Sequence, residues 1–293
     1  MGKFEELLET GQPILLDGAM GTMLMDAGLE HGDPPEEWNI SQPDTIRRIH
    51  RLYIEAGSDI ILTNSFGGTA IRLEMHKLDD RVFELNQAAA ANARSAADAA
   101  SRLVLVAGSM GPTGQLLDPV GELGYEEACQ AFADQAEGLA AGGVDLFWIE
   151  TMSDLAEVRA AVEGIRRVSD LPISATMSFD THGHTMMGVP PERAVTVLHE
   201  LDINLIGANC GTGSDELIEA IAAMHQTNPE LPLVAKANAG IPQVEDGDVV
   251  YNGTPELMAK YALEVQKQGA RLIGGCCGST PDHIRAMAKA LKI

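Results

Sequence analysis

The chain is poor in basic residues: 20 Lys and Arg stand against 43 Asp and Glu, for a formal net charge of -23. Nucleic acid and anionic membranes are recognised by clustered positive charge, so neither is an expected partner. Cysteine is also scarce. Four residues in 293, unevenly spaced, are too few for a disulfide scaffold, and the thiols are expected to be reduced. The N-terminal segment is charged and has no apolar signal core, and no uncharged apolar run is long enough to span a bilayer. These absences together suggest a soluble cytoplasmic protein. The glycine clusters at Gly67-Gly68 and Gly111 to Gly114 lack a dinucleotide-binding or P-loop frame, which leaves nucleotide binding unsupported. Aromatics reach only 4%, so any ring near a candidate site is informative.

What is present is an alternation. Short β-rich apolar runs recur, each followed by a longer segment of helical periodicity, the pattern of βα units around a parallel sheet. The expected strands are Pro13 to Gly18, Asp59 to Ser65, Leu103 to Ser109, Asp145 to Glu150, Pro172 to Phe179, Asn204 to Cys210, Pro232 to Asn238 and Arg271 to Cys277. Several runs, such as Leu103-Val-Leu-Val-Ala, are continuous rather than alternating, as expected when both faces of a strand are covered. Asp154, Pro191 and Thr280-Pro281 carry helix-start chemistry, and Gly57, Gly142 and Gly269 sit where helices should stop. Eight units at this length, with no linker between them, imply one α/β domain over residues 1–293, a (β/α)8 TIM barrel.

Chemistry in such barrels lies at the C-terminal ends of the strands. Cys210 ends the sixth expected strand and Cys276-Cys277 end the eighth, so three sulfurs fall on one rim. Thiolates suit zinc, and three protein ligands leave a fourth position open for a substrate atom. Such a centre stabilises an external thiol in its anionic form, which makes the sulfur a nucleophile at neutral pH. The bland alternatives are a buried vicinal pair or a disulfide from Cys210 to one of the two. Glu150 ends the fourth strand and can bind a substrate ammonium or serve a salt bridge within the barrel. Asp17, followed by Gly18, Ala19, Met20 and Gly21, offers a carboxylate and backbone that a ligand can approach closely. Trp38 and Phe66 lie in or beside rim loops, where an aromatic face attracts an onium cation by about 0.5 to 2 kcal/mol, or simply packs. His182-Gly-His184 reads as an exposed loop, and Cys129 as helix packing. Lys236 is the one strand lysine near the rim, the requirement of an aldolase-type barrel, but its inward or outward direction is open.

The segments Asp17-Gly-Ala-Met-Gly-Thr22, Thr63-Asn-Ser-Phe-Gly-Gly-Thr69, Gly207-Ala-Asn-Cys210 and Gly274-Gly-Cys-Cys-Gly278, in this order, resemble the homocysteine S-methyltransferase family. The resemblance implies that Cys210, Cys276 and Cys277 bind Zn2+, that homocysteine sulfur takes the open position, and that Glu150, with Asp17 and the backbone of Gly18, Ala19 and Met20, holds its amino acid portion. Glu36-Glu-Trp38-Asn, Met177-Ser-Phe-Asp180 and Asn238-Ala-Gly-Ile-Pro242 look most like the bacterial betaine-homocysteine methyltransferases. The resemblance then implies glycine betaine as donor, with Trp38 and Phe66 against its cation. There is a departure. Phe66-Gly67 stands where the animal betaine enzymes have Phe-Tyr, and Thr151 replaces the tyrosine after the family glutamate. A sulfonium donor (S-methylmethionine or dimethylsulfoniopropionate) and a non-catalytic zinc or thiol-binding barrel docking a corrinoid protein are the alternatives. An oligomer is compatible with the sequence and not specified by it.

Overall fold

In the computed structural model, which describes residues 3–245 and 248–293, eight parallel strands close into a barrel. The strands in chain order are β1 (Ile14–Leu15), β2 (Ile60–Leu62), β3 (Leu105–Met110), β4 (Leu146–Met152), β5 (Ile173–Met177), β6 (Leu205–Asn209), β7 (Leu233–Ala237), then the hairpin pair β8 (Pro242–Glu245) and β9 (Asp248–Tyr251), and last β10 (Ala270–Gly275). The barrel order is β1-β10-β7-β6-β5-β4-β3-β2, and a parallel bridge between Leu16 and Ile60 joins the two ends. The hairpin, between β7 and the helix Pro255–Lys267, stands outside the expected βα alternation.

The two faces of each strand explain why the apolar runs look continuous. Ile60, Leu62, Leu105, Ala107, Leu146, Trp148, Leu205, Val234 and Leu272 fill the barrel interior, while Ile61, Val106, Phe147, Ile149, Ile206, Leu233 and Ile273 belong to the layer shared with the surrounding helices. Period-two alternation is present, but both sets are apolar. The helix Lys3–Glu9, unannounced by the charged N-terminus, sets Phe4 against the interior cluster, with Leu7 and Leu8 beside it. That seals the end of the barrel opposite the cysteines.

Local signals set the helix boundaries as expected. Asp154 accepts from Ala156 N–H at 2.8 Å, Pro191 opens its helix, and Thr280 forms a reciprocal capping box with His283. Gly57 ends the helix Pro43–Ala56 in the left-handed region, at φ 118. Among the described residues no helix is long and apolar enough to cross a membrane.

Candidate active site

Cys210 follows β6, and Cys276 and Cys277 follow β10; β7 lies between these strands and fixes them relative to one another. Cys210 N–H donates to Lys236 O at 3.0 Å and Cys276 N–H to Ala237 O at 2.7 Å. The Asn238 side chain then spans both loops, accepting from Cys277 N–H at 3.1 Å and donating to Gly211 O at 2.9 Å. Cys210 is held at φ 59, a left-handed conformation that a non-glycine residue adopts only when its surroundings enforce it.

The three sulfurs lie within 4.8 Å of one another, all are free thiols, and each is half-buried. The contacts among the three sulfurs split their acidities: Cys277 is pushed down by Cys210 and Cys276, and Cys210 is pushed up, first by Cys276. One ionised sulfur thus opposes ionisation of its neighbours, and a soft divalent cation is what allows all three to become thiolates. Zinc at about 2.3 Å from each sulfur separates a tetrahedral pair by about 3.8 Å. The Cys210–Cys277 pair, at 4.0 Å, already has that spacing, and the Cys210–Cys276 pair, at 2.7 Å, has to open by about 1 Å. The donor set fits zinc.

Asn209 orients this cluster. Its amide nitrogen faces Cys210 Sγ at 3.5 Å and Cys276 Sγ at 3.8 Å and donates to Thr151 Oγ1 at 2.7 Å. Its carbonyl accepts from Thr151 N–H at 2.8 Å and from Thr176 Oγ1 at 2.6 Å. Thr151 braces the amide that faces the sulfurs.

Glu150 projects inward from β4 and is buried, with Ser109 donating to its Oε1 at 2.5 Å. Burial raises its pKa to about 7, against the opposing pull of Lys236. Lys236 also points inward, which settles the direction left open by the sequence. Its Nζ pairs with Asp17 Oδ1 at 3.1 Å, each side chain 3% exposed. Burial alone would push the ammonium down, but the Asp17 and Glu150 carboxylates more than offset it and raise its pKa. A Schiff-base lysine must be neutral to attack, so the aldolase-type alternative loses its nucleophile. Asp17 Oδ2 meanwhile accepts from Leu62 N–H at 2.7 Å, joining β1 to β2 above their bridge.

These groups line one cavity of about 400 Å³. Asp17, Gly18, Ala19, Met20, Phe66, Glu150 and all three rim cysteines contribute to its wall. Trp38 does not; it starts the short helix Trp38–Ser41 and packs half-buried against the main core. The missing Cβ of Gly18 makes room for Ser279 Oγ and the Tyr53 ring, at 2.7 and 2.9 Å, rather than for a ligand. Ala19 N–H is directed to Ser279. His182 and His184 form an exposed turn away from the cysteines, as expected, and Cys129 is buried on the helix Tyr125–Ala141. Glu126 and Glu163 approach Cys129, but Arg167 pairs with both carboxylates.

Three contributors were not read as site residues from the sequence. Glu36 is buried, lines the cavity, and accepts from Gly67 N–H at 2.7 Å, so the backbone of this glycine serves as a donor to a carboxylate. Arg72 lines the same wall. Tyr251, at the end of the hairpin, lies against Gly278 (φ 75), and its phenol is pushed up by burial and by the neighbouring Cys277. Only a long-range fold contact reveals it.

The model of the homocysteine S-methyltransferase family matches residues 14–291. Methionine synthase of Mycobacterium leprae is 35% identical over 305 residues, covering 98% of this chain and 25% of that protein. The Mycobacterium tuberculosis methionine synthase is 35% identical over 94% of this chain and 24% of its own length. The chain thus spans about a quarter of these curated relatives. The metallated crystal form of the Escherichia coli homocysteine methyltransferase MmuM superposes with a TM-score of 0.83 at 27% identity, covering 98% of this chain and 99% of that one. Its oxidised form gives 0.84 at 26% identity, over 99% of each chain. By sequence, barrel and cysteine-lined cavity alike, this chain belongs to the homocysteine S-methyltransferase family.

Proposed function

We propose that the protein transfers a methyl group from glycine betaine to the thiol of homocysteine, giving methionine and dimethylglycine, with zinc held by Cys210, Cys276 and Cys277. The observation that carries this reading is the convergence of three sulfurs, a buried carboxylate with an open oxygen and an aromatic ring on one cavity. Bound zinc supplies the positive charge that stabilises the acceptor sulfur as a thiolate. Glu150 takes the homocysteine ammonium and thereby gains the cation that its buried carboxylate lacks. Phe66 presents its face to the donor cation, and the nearby Glu36 carboxylate adds negative potential. Arg72, whose guanidinium has no side-chain hydrogen bond among the described residues and lies in the field of Glu36, takes the donor carboxylate. The S–C bond forms as the N–C bond breaks, and the electron pair stays on the nitrogen of dimethylglycine. Alignment of sulfur and methyl within a wall that excludes water lowers the barrier by making the encounter intramolecular.

A second reading keeps homocysteine and places the methyl group on a corrinoid-bearing carrier. It is favoured by Met75, Met186, Val120 and Ile241, exposed by 74, 70, 65 and 59% in the connections that follow barrel strands at the cysteine end. A donor panel separates the readings. Zinc-loaded protein is incubated with homocysteine and betaine, S-methylmethionine, dimethylsulfoniopropionate or methylcobalamin, and methionine is quantified. Turnover with betaine is expected. Activity with methylcobalamin alone transfers the assignment to the second reading, and activity with sulfonium donors alone removes betaine.

A further inference from the structure

Phe66 is 37% exposed at the cavity mouth, so packing alone does little to fix its ring. Its backbone is held instead. β2 ends at Leu62, and the chain turns over Ser65 to Gly68, where Gly68 N–H donates to Ser65 O at 3.0 Å. Two outer helices reach this turn. Gln135, fully buried on the helix Tyr125–Ala141, donates from Nε2 to Ser65 O at 2.7 Å, and Asn86, buried on the helix Val82–Asp98, donates to Gly68 O at 2.8 Å. A Cβ on Gly68 would collide with Asn86 Oδ1 and lie 2.7 Å from Gln135 Nε2, so glycine is what admits both amides. On the other side, Gly111 N–H donates to Phe66 O at 2.9 Å, and a Cβ on Gly111 would lie 2.6 Å from Phe66 Cε2. The ring is seated on that glycine.

Ser65 O, Ser109 O and Asn86 Oδ1 all face the Gln135 nitrogen, at 2.7, 3.3 and 3.3 Å, a set of acceptors that suits its NH2 group. This orientation leaves Gln135 Oε1 buried with no partner among the described residues, a cost that an apolar side chain of similar volume would avoid. Ser109 is already fixed within β3, opposite Trp148 on β4. Ser65 lies beyond the end of its strand and is tied to β3 through its hydroxyl, which donates to Ser109 O at 2.7 Å. The amide therefore acts on the turn. We infer that Gln135, backed by Asn86, is a positioning residue for the methyl donor: from outside the barrel it aims the Phe66 ring at the donor cation, and it takes no part in holding the acceptor or the metal. This rests on the reading that Phe66 faces an onium cation.

The test is steady-state kinetics of zinc-loaded protein with homocysteine, betaine and S-methylmethionine, each varied in turn, beside the zinc content of every variant. Gln135→Met keeps the volume and removes the N–H donors, and Gly111→Ala displaces the ring directly as a reference. Loss of one aromatic contact with a cation corresponds to about two- to thirtyfold in affinity. Gln135→Met is expected to raise the KM for the donor within that range, as Gly111→Ala does, with the KM for homocysteine and the zinc content unchanged. Should Gln135→Met not fold, Gly68→Ala dislodges the same amides from the turn side and is read in the same way. An equal rise in donor and homocysteine KM, or a loss of zinc, is the signature of general loosening and overturns the proposal. So does a rise in Gly111→Ala without one in Gln135→Met, an outcome that leaves Phe66 at the donor. If neither Gly111→Ala nor Phe66→Leu changes the KM for either donor, the reading of Phe66 falls and the proposal with it. Turnover with S-methylmethionine alone removes betaine, and the same comparison on that donor decides the role of Gln135; turnover with neither donor removes both readings.

Discussion

Asp17 joins two strands and neutralises a third: one carboxylate oxygen accepts from Leu62 N–H on β2 at 2.7 Å, and the other pairs with Lys236 on β7 at 3.1 Å. The carboxylate sits where the β1–β2 ladder runs out, so closure of the barrel and the charge of the cavity floor depend on one side chain.

Asp17→Ala removes both contacts and leaves an unpaired buried ammonium, a loss of about 3 to 5 kcal/mol. Asp17→Asn still presents an acceptor to Leu62 and should lose less. Urea unfolding of the two variants measures the difference; equal stability of Asp17→Ala and wild type contradicts the closure role.

Asn209 is expected to control metal retention without being a ligand. Outer hydrogen-bonding partners of metal sites typically contribute about 10- to 100-fold in affinity. Asn209→Ala and, more weakly, Thr151→Ala should lower zinc affinity by a factor within that range, measured by chelator competition. Cys276→Ser should abolish retention, while Cys129→Ser, on an outer helix, should leave the zinc content of the purified protein unchanged.

Arg72 and Glu150 should separate donor from acceptor. With betaine as donor, Arg72→Met is expected to raise KM for betaine with little change for homocysteine, and Glu150→Gln to do the reverse. Steady-state kinetics with each substrate varied in turn reads this out. A shift in the KM for homocysteine in Arg72→Met would place that side chain at the acceptor instead.

His50 makes a stability prediction far from the cysteines. It is fully buried on the helix Pro43–Ala56, neither ring nitrogen has a hydrogen-bond partner among the described residues, and burial lowers its pKa from 6.5 to about 3. Below pH 6.5 the unfolded chain binds a proton that the folded chain refuses, so stability falls as pH falls towards 3. By pH 5 the loss is about 2 kcal/mol. His50→Leu removes this contribution, and the gap in urea midpoint between pH 7.5 and pH 5 should be smaller in the variant than in wild type.

The βα alternation and the helix caps at Asp154 and Thr280 were legible in the sequence because each is written in a few neighbouring residues; the strand ends were legible only to within about three residues, since β1 stops at Leu15 and β2 at Leu62, short of the expected Gly18 and Ser65. The rim position of Cys210, Cys276 and Cys277 was legible for the same reason, since strand ends map directly onto the barrel mouth. Trp38 shows the limit. It lies in a motif beside the rim, yet it packs half-buried against the core and does not line the cavity, because a side chain's direction is set by what it packs against. Glu36 and Asn209 were illegible as site residues: the partners of Glu36 at Gly67 and of Asn209 at Thr151 and Thr176 are far away in the chain.

From the sequence alone came the parallel barrel, three sulfurs on one rim and the family. Periodicity, turn chemistry and soft-ligand preference are properties of short segments. Tertiary structure alone decided that Lys236 points inward and is held charged by Asp17, that Glu150 keeps an oxygen open, and that Phe66 reaches the cavity without Trp38. Those outcomes depend on distances between side chains brought together by barrel closure, and on the desolvation that closure imposes on them.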